Sequence, residues 1–317
     1  MEFGFNIAIR GRLADTHSIA TLATKGEALG FTYIAIPDHI VIPTSIGSTY
    51  PYSESGKMAG ANHGHCMEPL TVMTYLAAIT KKARLLTSVM VVPHRPALYA
   101  AKVLSTLDVL SNGRVTLGVG AGWMDEEFQA LGAPPFAERG KVTDEYLDAF
   151  KELWTQDNPR FEGKYVRFSN ISFLPKPVQP HLPIWVGGES PAALRRTARV
   201  GDAWYPIGTN PQYPLDTMER LNGGIANLHQ EAEKIGRDPK SIGIVYWANW
   251  YKENNLVTTK DGKRQLFTGS DANVVEDILR FKEMGMKELL FAFQRATLEE
   301  SLAAMERFAS EIMPKVR

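Results

Sequence analysis

An alternation of short apolar strands with helices, repeated eight times, constrains this sequence more than any other feature. The strand patterns are mostly apolar runs rather than alternating ones, which is typical of a parallel sheet buried on both faces. Eight βα units in a chain of 317 residues predict a closed (β/α)8 TIM barrel rather than two doubly wound domains. The predicted strands cover residues 3–9, 33–36, 84–92, 114–119, 184–186, 203–206, 242–251 and 288–293.

The predicted helices follow the strands and have recognisable ends. Gly30 fits the end of the first helix, and the turn Ser111-Asn112-Gly113 ends the third. Since no Pro/Ser-rich linker divides the chain, a single domain over residues 1–317 is predicted. The helical patterns cover residues 16–29, 69–82, 97–110, 137–155, 192–200, 215–235, 273–284 and 298–312.

Three insertions interrupt the alternation, after strands 2, 4 and 7. Residues 44–66 are rich in Gly, Ser, Tyr and His, residues 157–181 carry many prolines and follow the fourth helix, and residues 254–268 are polar. Loops after the carboxyl ends of barrel strands face the active site, so the first and third insertions can line or cover it. The alternative is that they are ordinary surface loops.

The charge balance argues against several classes of partner. Lys and Arg number 35 and Asp and Glu number 35, so the formal net charge is zero, and neither a nucleic-acid surface nor an anionic membrane surface is expected. No apolar run approaches a membrane span, and no signal peptide pattern is present. The single cysteine, Cys66, cannot form an internal disulfide, which fits a reducing compartment. We therefore expect a cytoplasmic protein.

Asp38 and His39 lie just beyond the second strand, where a barrel places catalytic groups. Histidine can exchange protons near neutral pH because its unperturbed pKa is about 6.5. The alternative is an aspartate that caps the loop and a histidine that only forms hydrogen bonds.

A glycine-rich turn follows the fourth strand. Gly118, Gly120 and Gly122 do not have the G-x-G-x-x-G spacing of a dinucleotide loop, because Trp123 occupies the position of the third glycine. Glycines at a strand end still let a flat ligand or a phosphate approach the backbone closely. The alternative is a tight turn without a ligand.

The fifth strand leads into a helix through Gly187, Gly188 and Ser190. Ser190 is predicted as the N-cap, with Pro191 at the first helical position. Free N–H groups at such a helix end, together with the helix dipole, form an anion site. A phosphate on a cofactor or substrate is one interpretation, and a plain capped helix is the other.

The histidines also raise the possibility of a metal site. His63 and His65 have the H-x-H spacing of metal-dependent hydrolase barrels, but those barrels place the pair at the end of strand one. Here the pair lies inside an insertion and the rest of a ligand set is not evident. The sequence has neither a G-x-S-x-G elbow nor a P-loop, and Cys66 beside His65 does not define a thiol nucleophile. No metal is predicted.

Longer motifs add to these features, and their combination is specific. They are Leu107 to Trp123 (LDVLSNGRVTLGVGAGW) with Glu126-Glu127-Phe128 and Leu131-Gly132, Pro37-Asp38-His39, Ser88 to Met90 with Arg95-Pro96, Phe136 to Arg139 with Asp144-Glu145-Tyr146, and Pro183 to Gly188 with Gly201-Asp202. The chain thereby resembles the bacterial luciferase-like monooxygenase family of flavin- and deazaflavin-dependent (β/α)8 oxidoreductases. The likeness is strong to about residue 208 and weaker over residues 270–313.

The resemblance implies a flavin or deazaflavin at the carboxyl mouth of the barrel. Family members hold the ring over a bulge at the end of strand three that carries a non-prolyl cis peptide. Asp38 and His39 would face the ring edge. The other implied cofactor positions are Ser88, Val89 and Met90 at the bulge, Gly120, Ala121 and Gly122 along the phosphoribityl chain, and Gly187, Gly188 and Ser190 near the phosphate.

The motifs P-D-H, Y-P-Y and G-V-G-A-G-W followed by E-E-F are most similar to the subgroup that depends on coenzyme F420, a deazaflavin that performs only hydride transfer. In such dehydrogenases a histidine matching His39 helps to move the accompanying proton. Sugar-phosphate dehydrogenases of the family carry Glu where this chain has Trp123. Trp123, with Tyr50 and Tyr52, therefore indicates a more apolar or aromatic substrate.

Two alternatives stay open alongside the F420-dependent enzyme. The first is an FMN-dependent monooxygenase, which consumes oxygen and takes reduced FMN from a separate reductase. The second is a barrel without catalytic activity that binds a flavin, or nothing, and serves as an interaction protein. The resemblance also implies a homodimer.

Overall fold

A closed parallel barrel forms the centre of the computed structural model, which describes residues 1–58 and 65–316. The strands are β1 (Glu2–Asn6), β2 (Tyr33–Ile36), β3 (Arg84–Thr87), β4 (Met90–Val91), β5 (Val115–Gly120), β6 (Phe161–Glu162), β7 (Arg167–Phe168), β8 (Ile184–Gly187), β9 (Ala203–Tyr205), β10 (Gly243–Ala248) and β11 (Glu288–Phe291). β3 pairs in parallel with both β2 and β5, which closes the ring in the order β1-β2-β3-β5-β8-β9-β10-β11. The prediction of a (β/α)8 barrel is confirmed.

The third predicted strand is interrupted rather than continuous. β3 ends at Thr87 and β4 begins at Met90, and the peptide bond between Ser88 and Val89 is cis, as the resemblance implied. Both segments pair in parallel with β5, so together they occupy one strand position of the barrel. The prediction of a single strand over residues 84–92 is therefore wrong at its centre.

The helices lie outside the barrel, and their starts follow the capping residues. Asp15 accepts a hydrogen bond from the N–H of Ser18 at the start of the first helix, and Ser270 forms a capping box with Asn273. The helices are α1 (Thr16–Ala28), α2 (Pro69–Ile79), α3 (Ala97–Leu110), α4 (Asp125–Leu131), α5 (Arg139–Thr155), α6 (Pro191–Val200), α7 (Met218–Lys234), α8 (Asp271–Glu283), α9 (Leu298–Glu311) and α10 (Met313–Val316).

Side chains fill the barrel, which leaves its mouth for a ligand. The interior contains Tyr33, Trp185 and Tyr205, and the ring centroids of Tyr33 and Trp185 are 5.0 Å apart. A second layer of buried residues packs the helices onto the strands, where Phe291 and Phe308 lie 4.8 Å apart. A TIM barrel packed in this way binds its ligands in the loops at the carboxyl ends of the strands.

Carboxylates on the helices α5 and α8 hold two of the three insertions. The insertion at residues 157–181 contains the β6–β7 hairpin, joins α5 to the amino end of β8, and is held by Glu145, which accepts hydrogen bonds from three backbone N–H groups. In the insertion at residues 254–268, Arg264 pairs with Asp277 of α8, and Phe267 is fully buried. Within the described ranges, no helix combines the length and the apolarity that crossing a membrane requires.

Candidate active site at the barrel mouth

His39 lies just past the carboxyl end of β2, and 12% of its side chain is exposed. Its Nδ1 is 2.7 Å from Glu127 Oε2, and Nε2 has no hydrogen-bond partner among the described residues. An ionised carboxylate can only accept hydrogen bonds, so this contact favours the tautomer with the proton on Nδ1. Nε2 is then free to accept a proton.

Helix α4, which the sequence patterns did not predict, holds this region through two adjacent glutamates. Glu127 is fully buried and also accepts a hydrogen bond of 2.7 Å from the N–H of Ile40. Glu126 accepts from the N–H groups of Gly47 (2.7 Å) and Ser48 (3.0 Å) in the first insertion. One short helix therefore fixes both the turn after His39 and the insertion.

The three aromatic residues predicted to contact substrate lie together beside His39. The Trp123 ring is 6.2 Å from the His39 ring and nearly perpendicular to it. Tyr50 contacts both Trp123 (5.1 Å between centroids) and Tyr52 (5.6 Å). Burial raises the pKa of Tyr50, and burial together with the nearby charge of Glu189 raises the pKa of Tyr52 well above its usual value. Both phenols are therefore neutral at physiological pH.

The bend between β3 and β4, at Ser88 and Val89, lies between two glycines and a tyrosine. Ser88 Oγ is 3.0 Å from the hydroxyl of Tyr205. A Cβ atom at Gly120 would lie 2.7 Å from one methyl group of Val89, and a Cβ atom at Gly187 would lie 2.9 Å from the other. Glycine at these two positions therefore makes room for Val89, and the role of these glycines toward a cofactor stays a prediction.

The remaining cofactor positions predicted on β4 and after β5 differ in burial and packing. Met90 is buried with the residues that pack the helices onto the strands, so its side chain does not line the mouth. Gly122 has φ +86, and a Cβ atom there would lie 2.7 Å from both Phe128 and Val91. Ala121, between Gly120 and Gly122, is partly exposed at the end of β5 and can still contact a ligand.

Asp38 is turned toward the protein and forms a buried ion pair. Its carboxylate accepts two hydrogen bonds of 2.9 Å from Arg95 and one of 2.7 Å from the N–H of Val91. Arg95 also donates to Glu68, at 2.7 Å. Burial by itself lowers the pKa of Arg95, but the charge of Asp38 and the hydrogen bonds outweigh it and raise the pKa. We therefore interpret Asp38 as a structural residue that links the end of β2 to β4.

The N-cap prediction for Ser190 is confirmed. Its hydroxyl accepts a hydrogen bond from the N–H of Ala193, and Pro191 is the first residue of α6. Gly188 has φ +97, a conformation that favours glycine, and its carbonyl accepts from Trp204 Nε1 at 2.9 Å. The amino end of α6 thus begins directly after β8 at the mouth, where a phosphate site stays a prediction.

Glu189 is a buried acid in the same turn and joins it to the loop after β9. One carboxylate oxygen accepts from the N–H of Ile207 (2.8 Å), and the other accepts from the side-chain amide of Asn210 (2.9 Å). Only 5% of the residue is exposed, and burial raises its pKa to about 7. Glu189 therefore titrates in the physiological range.

Glu189→Gln is expected to change the pH dependence of stability. Because the pKa is higher in the folded protein, Glu189 contributes stability that is complete below the unfolded pKa of about 4.3 and is lost as pH rises through about 7. In wild type, the contribution of Glu189 to the free energy of unfolding should fall by about 3 kcal/mol between pH 4 and 8. The variant has no titrating group at this position, so it should lack this decrease. Urea unfolding across this range measures the difference.

A second acid provides the matched control for this prediction. Burial, followed by the charge of Glu2, raises the pKa of Glu288 to about 7 at the amino end of β11. Glu288→Gln should also flatten the pH profile of the free energy of unfolding. Because Glu288 is the first residue of β11, at the opposite end of the barrel, it should leave the residues at the barrel mouth unchanged. Unfolding curves of Glu189→Gln that run parallel to those of wild type at every pH would contradict the assignment.

Several polar atoms at the carboxyl ends of the strands are buried without a partner among the described residues. They belong to Asn6 at the end of β1, to Thr209 after β9, and to Trp247 and Asn249 at the end of β10. Buried polar groups are normally hydrogen-bonded, so a ligand with donors and acceptors along one edge fits here. A flavin or deazaflavin ring has such an edge, and the residues present therefore fit this group.

The described residues contain no cluster of three or more His, Cys, Asp or Glu side chains that could hold a metal. His63, one member of the H-x-H pair, lies outside the described residues. Burial raises the pKa of the Cys66 thiol to about 11. Cys66 is therefore a poor thiolate nucleophile, and its sulfur lies 3.1 Å from the carbonyl oxygen of His39.

Comparison with known proteins gives one family and several relatives. The family model described as luciferase-like monooxygenase matches residues 1–251. The chain is 30% identical over 313 aligned residues to the FMNH(2)-dependent dimethylsulfone monooxygenase of Pseudomonas putida, covering 86% of this chain and 84% of that protein.

Solved structures share the fold at lower sequence identity. An F420-dependent secondary alcohol dehydrogenase in complex with an F420–acetone adduct superposes with a TM-score of 0.75 at 20% identity, covering 100% of this chain and 99% of that one. The oxygenating constituent of 3,6-diketocamphane monooxygenase from Pseudomonas putida, in complex with FMN, superposes with a TM-score of 0.74 at 15% identity, covering 100% and 99%. At these identities the likeness shows the barrel fold.

Proposed function

Because the chain belongs to the luciferase-like monooxygenase family, we propose that it is an enzyme that transfers a hydride between coenzyme F420 and a small organic substrate. The observation that carries this proposal is the hydrogen bonding of His39: Glu127 holds its Nδ1, while its Nε2 has no hydrogen-bond partner in the part of the chain that the structure describes. Hydride transfer to or from a carbon that bears oxygen requires a proton carrier at that oxygen. His39 supplies one at the mouth of the barrel.

The residues of the chain divide the remaining work. Coenzyme F420, when bound, accepts or gives the hydride. His39 Nε2 takes the hydroxyl proton when an alcohol is oxidised and returns it when a carbonyl is reduced. Trp123, with Tyr50, limits the access of water to the reacting atoms.

The cofactor would be held by the polar and glycine-rich turns at the mouth. The buried polar atoms of Asn6, Trp247 and Asn249, which have no partner among the described residues, suit the polar edge of the ring. The bend at Ser88 and Val89 would support the ring. The turns that we assign to the rest of the cofactor are Gly120, Ala121 and Gly122 for the phosphoribityl chain and Gly187, Gly188 and Ser190 for the phosphate.

A monooxygenase that uses reduced FMN is the second candidate. The similarity that favours it is the relative from Pseudomonas putida, whose name states dependence on FMNH(2) and which is 30% identical over most of its length. In that case a separate flavin reductase would be a partner, and the substrate would be oxygenated. The same mouth residues would hold the cofactor, since FMN and F420 have similar ring edges.

The aromatic residues beside His39 indicate the class of substrate. Trp123, Tyr50 and Tyr52 form an uncharged surface, so we propose an apolar or aromatic alcohol, ketone or enone. We also propose that the enzyme acts in the cytoplasm as a homodimer. Size-exclusion chromatography with light scattering tests the dimer directly.

Cofactor choice is tested by titrating the protein with F420 and with FMN, each oxidised and reduced, and following fluorescence. Tight binding of F420 alone, followed by its reduction in the presence of secondary alcohols, is the expected result. Preference for reduced FMN with oxygen consumption would move the assignment to a monooxygenase. If neither cofactor binds below about 100 μM, which corresponds to about −5.5 kcal/mol, both assignments fail.

A further inference from the structure

Glu127 forms a hydrogen bond with the His39 ring in addition to the backbone hydrogen bonds that hold the loop. Its Oε1 accepts from the N–H of Ile40 (2.7 Å) and more weakly from that of Val41 (3.3 Å). Its Oε2 is directed at His39 Nδ1, at 2.7 Å. The side chain is completely buried, so water does not compete for these contacts. The two oxygens therefore have separate partners, the backbone on one side and the imidazole on the other.

Two other glutamates show what a purely structural carboxylate looks like in this chain. Glu27 accepts from the N–H groups of residues 81, 82 and 83, and Glu145 accepts from those of residues 164, 165 and 166. Each holds a turn through backbone N–H groups alone. Glu127 also accepts hydrogen bonds from two backbone N–H groups, but its third partner is the imidazole of His39 instead of a third N–H group.

The neighbouring histidine does not share this role. His94 Nδ1 lies 3.9 Å from Glu127 Oε1, which is beyond hydrogen-bond distance, and neither of its ring nitrogens has a partner within residues 1–58 and 65–316. Burial lowers the pKa of His94, so its ring is neutral and packs edge-on against Phe128, with 4.7 Å between centroids. Among the described side chains, only that of His39 donates to Glu127.

We propose that Glu127 is a positioning residue that fixes His39 as the Nδ1–H tautomer and so keeps Nε2 available to the substrate. An imidazole with its proton on Nε2 could not accept a second proton at that atom. The tautomer assignment is independent of which cofactor binds. Its consequence for turnover rests on the function proposed above.

Glu127→Gln tests the tautomer directly. The amide oxygen of the new side chain can keep the bonds to Ile40 and Val41, and its NH2 group then faces His39 Nδ1 as a donor. Nδ1 must become an acceptor, so the proton moves to Nε2. Long-range ¹H–¹⁵N correlation spectra of protein labelled at histidine report the tautomer, and His39→Asn identifies the signal of His39.

Glu145→Gln is the matched control, because it alters a carboxylate that accepts hydrogen bonds from the backbone N–H groups of residues 164–166 and not from His39. We expect the Nδ1–H tautomer in wild type and in Glu145→Gln, and the Nε2–H tautomer in Glu127→Gln. With the cofactor and substrate, Glu127→Gln should lower kcat by about 10–100-fold with little change in KM, whereas Glu145→Gln should not.

Two results would overturn the proposal. One is a wild-type His39 with its proton on Nε2, a measurement that does not depend on whether any variant folds. The other is an Nδ1–H signal that persists in folded Glu127→Gln. If the tautomer behaves as expected but no cofactor supports turnover, the proposed function fails and the positioning role of Glu127 stands.

Discussion

Replacing His39 by Asn or Ala should lower turnover by about 10²–10⁴-fold, the usual contribution of a positioned general acid or base. His39 Nδ1 is bound to Glu127, while Nε2 has no partner within residues 1–58 and 65–316, so the variant loses the proton carrier. Neither Asn nor Ala can take up and release a proton near neutral pH. Binding of the cofactor should change little, because its proposed ligands lie on other strands and turns.

The measurement for His39 combines steady-state kinetics with the cofactor titration. His181→Asn is the control, since His181 is exposed, pairs with Asp202 at 2.8 Å and precedes β8 at the opposite end of the barrel. Turnover and cofactor affinity of that variant should match those of wild type. Turnover of His39→Asn equal to that of wild type would rule out the proton-carrier role, whichever cofactor is bound.

The barrel could be predicted from the sequence because its elements leave local patterns. The run Tyr33–Ile36 is apolar throughout and is buried on both faces as β2, and α3 has the bounds that its pattern predicted, Ala97–Leu110. The helix start at Ser190 was readable because the capping hydroxyl and the following proline are adjacent in the chain. Each of these signals acts over a few residues.

Helix α4 was missed although signals for it are present. Asp125, Glu126 and Glu127 form an acidic first turn, which favours a helix start, and Gly132 ends the helix with φ +62. The stretch of seven residues was too short for a helical period to stand out. Its glutamates therefore appeared only as part of a family motif.

The contacts that organise the mouth could not be predicted because they join distant parts of the chain. Glu127 and His39 are 88 residues apart, and Arg95 and Asp38 are 57 apart. Nor does the sequence predict that Val89 packs beside both Gly120 and Gly187; their role toward a cofactor stays a prediction. Only the closed barrel brings the ends of these strands together.

Asp38→Asn should lower the free energy of unfolding by about 3 kcal/mol, because it leaves the buried guanidinium of Arg95 without its main counter-charge. Arg95 is 5% exposed and Asp38 is 4% exposed, so water cannot replace the lost carboxylate. Glu68, which is partly exposed, still pairs with Arg95 and limits the loss. Thermal and urea unfolding, followed by tryptophan fluorescence, measure the change.

Asp148→Asn is the matched control for this ion pair. Asp148 pairs with Arg199 at 2.7 Å, and both side chains are exposed, to 45% and 40%, so water can solvate the guanidinium that the substitution uncovers and the loss should stay below about 1 kcal/mol. A double variant, Asp38→Asn with Arg95→Met, should recover part of the stability because no buried charge is left unpaired, Glu68 being partly exposed. Equal losses of unfolding free energy in Asp38→Asn and Asp148→Asn would show that burial does not set the strength of the ion pair between Asp38 and Arg95.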